Sequence, residues 1–143
     1  MAQKVWQVSL VLVTLGFVAL GARAYGEDVG LIESEMVVTA KWVAQNIPPN
    51  AIIAAHDIGA LGYFDHHQLI DLAGLVSPEV IPFMLDETRL AVYLNQREVS
   101  YLVAFPDFYP NLTRNAPVVF SSGGKFAIEA GQKNMAVYRW ISH

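Results

Sequence analysis

The sequence predicts a small α/β domain carried on one apolar N-terminal helix, with a mixed sheet closed by a C-terminal β-hairpin. Three observations lead there. Val5 to Ala22 is an uncharged stretch of 18 residues. Between Glu27 and Phe105, helical patterns alternate with short apolar runs, the signature of helices packed on a sheet that is parallel in its middle. The chain then ends on apolar runs joined by Gly131-Gln132-Lys133-Asn134, a turn composition.

The first segment reads VWQVSLVLVTLGFVALGA, flanked by Lys4 and Arg23. Trp6 and Tyr25 bracket it, roughly 28 Å apart at about 1.5 Å rise per residue, close to the ~30 Å of hydrocarbon that a spanning helix must cross. Aromatic residues at both ends fit the interfacial belts of a membrane. Ala22-Arg23-Ala24 also resembles a leader-cleavage site after a basic start and an apolar run. Residues 1–25 are therefore a membrane anchor or a cleaved signal peptide, and residues 26–143 an extracytoplasmic domain.

Glu27 to Asn46 carries Val29, Ile32, Met36, Ala40, Val43 and Ile47 at steps of three and four, with Glu33, Glu35, Lys41 and Gln45 off that stripe. This is a helix with one face for a sheet. Gly26 and Gly30 would loosen its join to the membrane segment, and Pro48-Pro49 stops it. Ala51–Ala55 is a buried strand, Asp57–Phe64 a helical turn and loop, and Gln68–Leu72 a second strand. Ser77-Pro78-Glu79 starts a short helix, with Ser77 as cap, and Asp86 caps the next, through about Arg97. Ser100–Phe105 is a strand, followed by a proline- and aromatic-rich loop to Pro117. Pro117–Ser121, Lys125–Ala130 and Met135–Ile141 are further strands, the last two forming the hairpin.

Composition limits the chemistry. With 54% hydrophobic and 15% charged residues, against about 25% charged in an average soluble domain, some surface is expected to face lipid or protein. Net charge is −4 with scattered basic residues, so no footprint for nucleic acid exists. Cysteine is absent, which excludes disulfides, thiolate catalysis and Cys-ligated metal centres. No nucleophile elbow, no H-E-x-x-H and no phosphate-binding glycine loop occurs. Catalytic residues and cofactors are not indicated.

His56-Asp57 follows the first strand, where open α/β sheets bind ligands. That pair could serve as base or ligand, or simply fill the strand end and cap the next turn. Asp65, His66 and His67, with Asp71 nearby, offer weak metal candidates, since adjacent histidines diverge. Phe105, Phe108 and Tyr109 could form a stacking or partner surface, or a lid on the core.

At HDIGALGYF (His56–Phe64), DLAGLVSPEVIPF (Asp71–Phe83) and FPDFYP (Phe105–Pro110), the chain resembles the C-terminal segment of bacterial multi-span glycosyltransferases of the protein-mannosyltransferase (GT-C) type. RAYGEDVGLIESEM (Arg23–Met36) and VYRW (Val137–Trp140) extend the resemblance over nearly the whole chain. It implies a last membrane helix followed by an extracytoplasmic domain, in a glycan or lipid-phosphate-sugar context. His56, Asp57, Tyr63, Asp71 and Glu79 match the recurring pattern and are the ligand-binding candidates. The catalytic acids of that family lie in an early loop among many spans, and no such loop is present here. The resemblance thus carries over no catalysis; the lone span, with small residues such as Gly16, Ala19 and Gly21, and the low charge content point to a non-catalytic accessory or interaction module, bound to membrane lipid and to a membrane-protein partner or complex. A glycan- or lipid-phosphate-sugar-binding domain is the alternative.

Overall fold

The computed structural model describes residues 2–141. Helix α1 (Ala2–Leu31) passes without a turn into a π-helical segment (Ile32–Val37) and then into α2 (Val38–Asn46). One continuous helix therefore leads from the apolar stretch into the domain. The stretch is long and apolar enough to cross a membrane, and none of its most apolar window is buried by the rest of the protein.

The helix stops where expected. Ile47 turns extended and Pro48-Pro49 follows. The chain then reverses into β1 (Ile52–Ala55), continues through α3 (Ile58–Phe64) to β2 (Gln68–Asp71), a 3₁₀ helix (Pro78–Phe83), α4 (Glu87–Gln96) and β3 (Tyr101–Ala104). It ends with α5 (Pro110–Thr113), β4 (Val118–Ser121), α6 (Lys125–Glu129) and β5 (Ala136–Arg139). The sheet order is β2-β1-β3-β5-β4. β1 is parallel to β2 and to β3, and β5 is antiparallel to both β3 and β4. The predicted mixed α/β sheet, parallel in its middle, is what forms.

One expected strand does not. Lys125–Glu129 is helix α6, with Ala130 closing it, and β5 pairs instead with β4, Val118 facing Tyr138 and Ser121 facing Ala136. The closing antiparallel pair thus has a helix inside its connection. FAIEA reads as a strand by apolarity alone, but its backbone closes a helical turn, the Ala130 N–H donating to the Phe126 carbonyl at 3.0 Å.

Apolar layers cover both faces of the sheet. Ala54, Leu102, Ala104 and Tyr138 pack with Val80, Leu90, Leu94 and Leu112 on one side. Ile53, Ala55, Val103 and Val137 pack with Ala40, Val43 and Leu61 on the other. Asp86 caps α4 as expected, its Oδ1 accepting from the Arg89 N–H at 3.1 Å. Ser77 makes no capping bond to its helix; its hydroxyl accepts from the Asp71 N–H at 3.1 Å.

The helical stripe is buried at Ala40, Val43 and Ile47, but Val29 and Ile32 are exposed, because there the helix has run past the sheet. The π segment, whose wider turn rotates the helix register, brings Glu35 inward to 0% exposure. Its Oε2 accepts from the Met135 N–H at 2.9 Å and from the Ser122 hydroxyl. Its Oε1 accepts from Asn134 Nδ2 at 2.9 Å, and that amide also donates to the Gly124 carbonyl at 2.5 Å. A carboxylate read from spacing as solvent-facing is in fact the bolt between the long helix and the 122–135 loop.

Two glycines fit this junction for steric reasons. A Cβ on Gly30 would lie 2.5 Å from the Phe126 ring, so this glycine admits α6 against the helix rather than loosening it. A Cβ on Gly124 would meet Glu35 Oε1 at 2.2 Å and Ser34 Oγ at 2.7 Å. Gly124→Ala is expected to lower stability by about 1–3 kcal/mol, the usual cost of overpacking, as read by thermal unfolding of the detergent-solubilised protein.

Candidate functional site: a cleft at the β1–β3 crossover

β1 and β3 are neighbours, but the helices that follow them go to opposite faces: Leu61 of α3 joins one apolar layer and Leu112 of α5 the other. A crevice opens between such diverging connections at the carboxyl ends of the strands, the usual ligand position in open α/β sheets. Here it is a cleft of about 340 Å³ lined by His56, Leu72, Met84, Leu85, Glu87, Phe108 and Tyr109, within the ordinary range for a small ligand.

His56 leaves the end of β1, and its Nδ1 lies 2.7 Å from the Tyr109 hydroxyl, in hydrogen-bond contact. The rings of Phe108 and Tyr109 sit tilted against the imidazole, with centroids 5.4 and 5.8 Å away. Burial, and then the fields of Asp57, Asp71 and Glu87, push the Tyr109 phenol up to about 12. Tyr109 therefore keeps its proton at neutral pH and can donate it to Nδ1, which in a neutral ring places the hydrogen on Nε2. No lysine or arginine lines the cleft among the described residues. Glu87 makes its field negative, a His–Tyr pair supplies its other polar groups, and its remaining walls are apolar.

Glu87 is a brace. Its Oε2 accepts from the N–H groups of Asn111 and Leu112, each at 2.7 Å, and its Oε1 from Asn111 Nδ2 at 2.8 Å. That holds the start of α5, and so the Tyr109 backbone, against α4. Asp107 accepts from the Lys133 N–H at 2.9 Å, with Lys133 Nζ at 3.3 Å from its other oxygen. Through that contact the cleft loop is tied to the loop that Glu35 bolts to the long helix.

The sequence candidates fall in different places. Desolvation raises the Asp57 carboxyl above its ordinary value of 3.8, opposed by His56; its side chain does not cap α3. A raised acid holds an extra proton in the folded state, so stability falls as pH rises from 3.8 through the raised value. Asp57→Asn should accordingly raise the melting temperature at neutral pH, a gain that fades as pH is lowered through that window. Asp71 is fully buried, and its two oxygens accept from Ala73 N–H at 2.8 Å and Val76 N–H at 2.9 Å, shaping its own turn. Glu79 accepts from the Tyr93 hydroxyl at 2.7 Å and from Arg97 at 3.0 Å, away from the cleft. These bonds, the Tyr93 one first, hold its carboxyl below its ordinary value. Tyr63 is 79% exposed on α3.

Asp65 and His67 bond to each other, Nδ1 to Oδ1 at 2.6 Å, while His67 Nε2 lies 2.8 Å from the Pro48 carbonyl. His66 is exposed beside them. No group of three or more His, Cys, Asp or Glu is placed to hold a metal ion among the described residues.

Sequence reasoning pointed to His56 beyond β1, which lines the cleft, and to the aromatic loop, which supplies Phe108 and Tyr109; Asp57 follows His56 but is not among the lining residues. That reasoning missed Leu72, Met84, Leu85 and Glu87, which carry no local motif and meet only through the crossover. A larger hollow, about 480 Å³, lies between Arg23–Leu31 of the long helix and Phe126–Ala130. It is acidic, and Arg23 there is already paired with Glu27 at 2.9 Å.

No curated protein and no solved structure matches the chain. Residues 23–138 match the family described as a domain of unknown function (DUF8728). That match runs from the end of the apolar stretch to the last strand, and the chain belongs to this family.

Proposed function

We propose that this protein is a single-pass, membrane-anchored accessory module without catalysis of its own, whose extracytoplasmic domain serves a larger membrane complex in a glycan context. The observation that carries this reading is the unbroken helix from an unpacked apolar stretch into the core, bolted there by buried Glu35. Such a helix holds the domain at a fixed angle to the bilayer, which suits presentation to a membrane partner. The apolar stretch itself, exposed on all sides, offers a surface for lipid or for neighbouring spans. The resemblance at His56–Phe64, Asp71–Phe83 and Phe105–Pro110 supports the glycosyltransferase context. Purification of the full chain from native membrane in mild detergent, with mass spectrometry of what comes with it, tests the reading. A stoichiometric membrane-protein partner is expected, and a strictly monomeric protein with none would reject it.

The cleft favours a second reading, a glycan-binding domain. Phe108 offers a ring face for a sugar, and His56 and Tyr109 offer hydrogen bonds. The negative field argues for the uncharged sugar over the phosphate of a lipid-phosphate sugar. Titration with neutral oligosaccharides should show binding that His56→Ala and Phe108→Ala each weaken about tenfold, the effect of losing one good hydrogen bond or stacking contact of about 1.4 kcal/mol. Unchanged affinity in both variants would remove this cleft from consideration.

A further inference from the structure

The direction of the sheet relative to the helix is fixed by covalent connection. α2 runs away from the apolar stretch, and five residues later β1 runs back. The carboxyl ends of β1, β2 and β3 therefore face the end of the long helix that enters the membrane. Contacts agree: α3, which starts just after β1, packs on the π segment, and α6 packs on α1 and the π segment. At the opposite end, His67 meets Pro48 just beyond α2. With Tyr25 at the lipid boundary, the 21 residues on to Asn46 rise about 32 Å, and β1 descends about 13 Å of that. The strand ends thus stand roughly 20 Å above the boundary, and the loops beyond them point into the gap.

Those loops carry large apolar side chains in water. Leu75 is 80% and Leu85 91% exposed, and Val76 and Phe108 are exposed as well. They leave the ends of β2 and β3, and Leu85 and Phe108 stand at the mouth of the cleft. From Leu72 to Leu85, Glu79 is the only charged residue. Single exposed apolar residues are ordinary, but these share the one end that the anchor aims at lipid. Spanning helices tilt on average by ~20°, and a tilt toward the domain lowers its side away from the helix by several ångströms.

We propose that Leu75, Val76, Leu85 and Phe108 form a second, peripheral contact with the bilayer, seating the cleft mouth at the headgroup layer. The proposal rests on the apolar stretch being a span. Interfacial binding grows with the apolar area buried, and the anchor removes the cost of bringing the domain to the surface.

The absence of cysteine makes the test direct. Single variants Leu85→Cys, Leu75→Cys, Tyr63→Cys and Leu15→Cys, each at an exposed position, are labelled with an environment-sensitive fluorophore. The full chain is then reconstituted in phosphatidylcholine vesicles whose acyl chains carry bromine near the headgroup or, in a second set that serves Leu15, near the chain end at the bilayer centre. The expected result is loss of fluorescence at Leu15, Leu85 and Leu75 but not at Tyr63, which lies toward the far end of the domain. Quenching at Leu15 with Leu85 and Leu75 as bright as Tyr63 overturns the docking and leaves the anchor standing. A blue-shifted, unquenched label at Leu85 also overturns it, because protein then covers that face. No quenching at Leu15 removes the anchor and the docking together.

Discussion

Leu12→Arg combined with Leu15→Arg is expected to move the protein from the membrane fraction to the soluble or aggregated fraction. Each arginine near the centre of a spanning helix costs about 2.5–3.5 kcal/mol to insert, and the pair roughly doubles that. Leu12 and Leu15 are exposed with no packing partner in the domain, so the substitutions leave the folded part intact. Membrane fractionation reads the shift, and the circular dichroism of the released chain checks the domain. An unchanged membrane fraction would mean that something other than this stretch holds the protein there.

Glu35→Ala is expected to be the most damaging single change within the domain. It leaves the buried Met135 N–H without its acceptor and takes one bond each from the half-buried Ser122 hydroxyl and Asn134 amide, which keeps the Gly124 carbonyl. Orphaned buried donors cost about 1–3 kcal/mol each, less than additively, so a loss of about 3–5 kcal/mol is expected. For a domain of this size that lowers the melting temperature by more than ~10 °C. Glu33→Ala, two residues away on the exposed side, should stay within ~0.5 kcal/mol. A similar effect from both would mean that the helix alone, and not the buried carboxylate, sets the junction's stability.

Much of the fold was legible because its signals are local. Pro48-Pro49 ends a helix whatever surrounds it, Asp86 caps its own helix, and the runs at Ala51, Gln68 and Ser100 become strands because flanking turns isolate them. Glu35 was misread because a π segment breaks the 3.6-residue spacing on which the helical stripe depends. FAIEA was misread because five apolar-rich residues carry too little periodicity to separate helix from strand. At the cleft, His56 and Tyr109 were visible as unusual residues beyond strand ends, but their pairing spans 53 positions. Glu87 drew no notice, since an acid in a first helical turn is common, and only the fold brings it to Asn111 and Leu112.

The claim that the rest depends on is that an uncut helix carries this domain at a membrane. Alkaline carbonate extraction of native membranes, followed by intact mass measurement of the extracted protein, tests it in one step. The expected result is a chain that resists extraction and whose mass includes the whole stretch from Val5 to Ala22. Release into the carbonate supernatant, or a mature chain beginning at or just beyond Ala24, would contradict it.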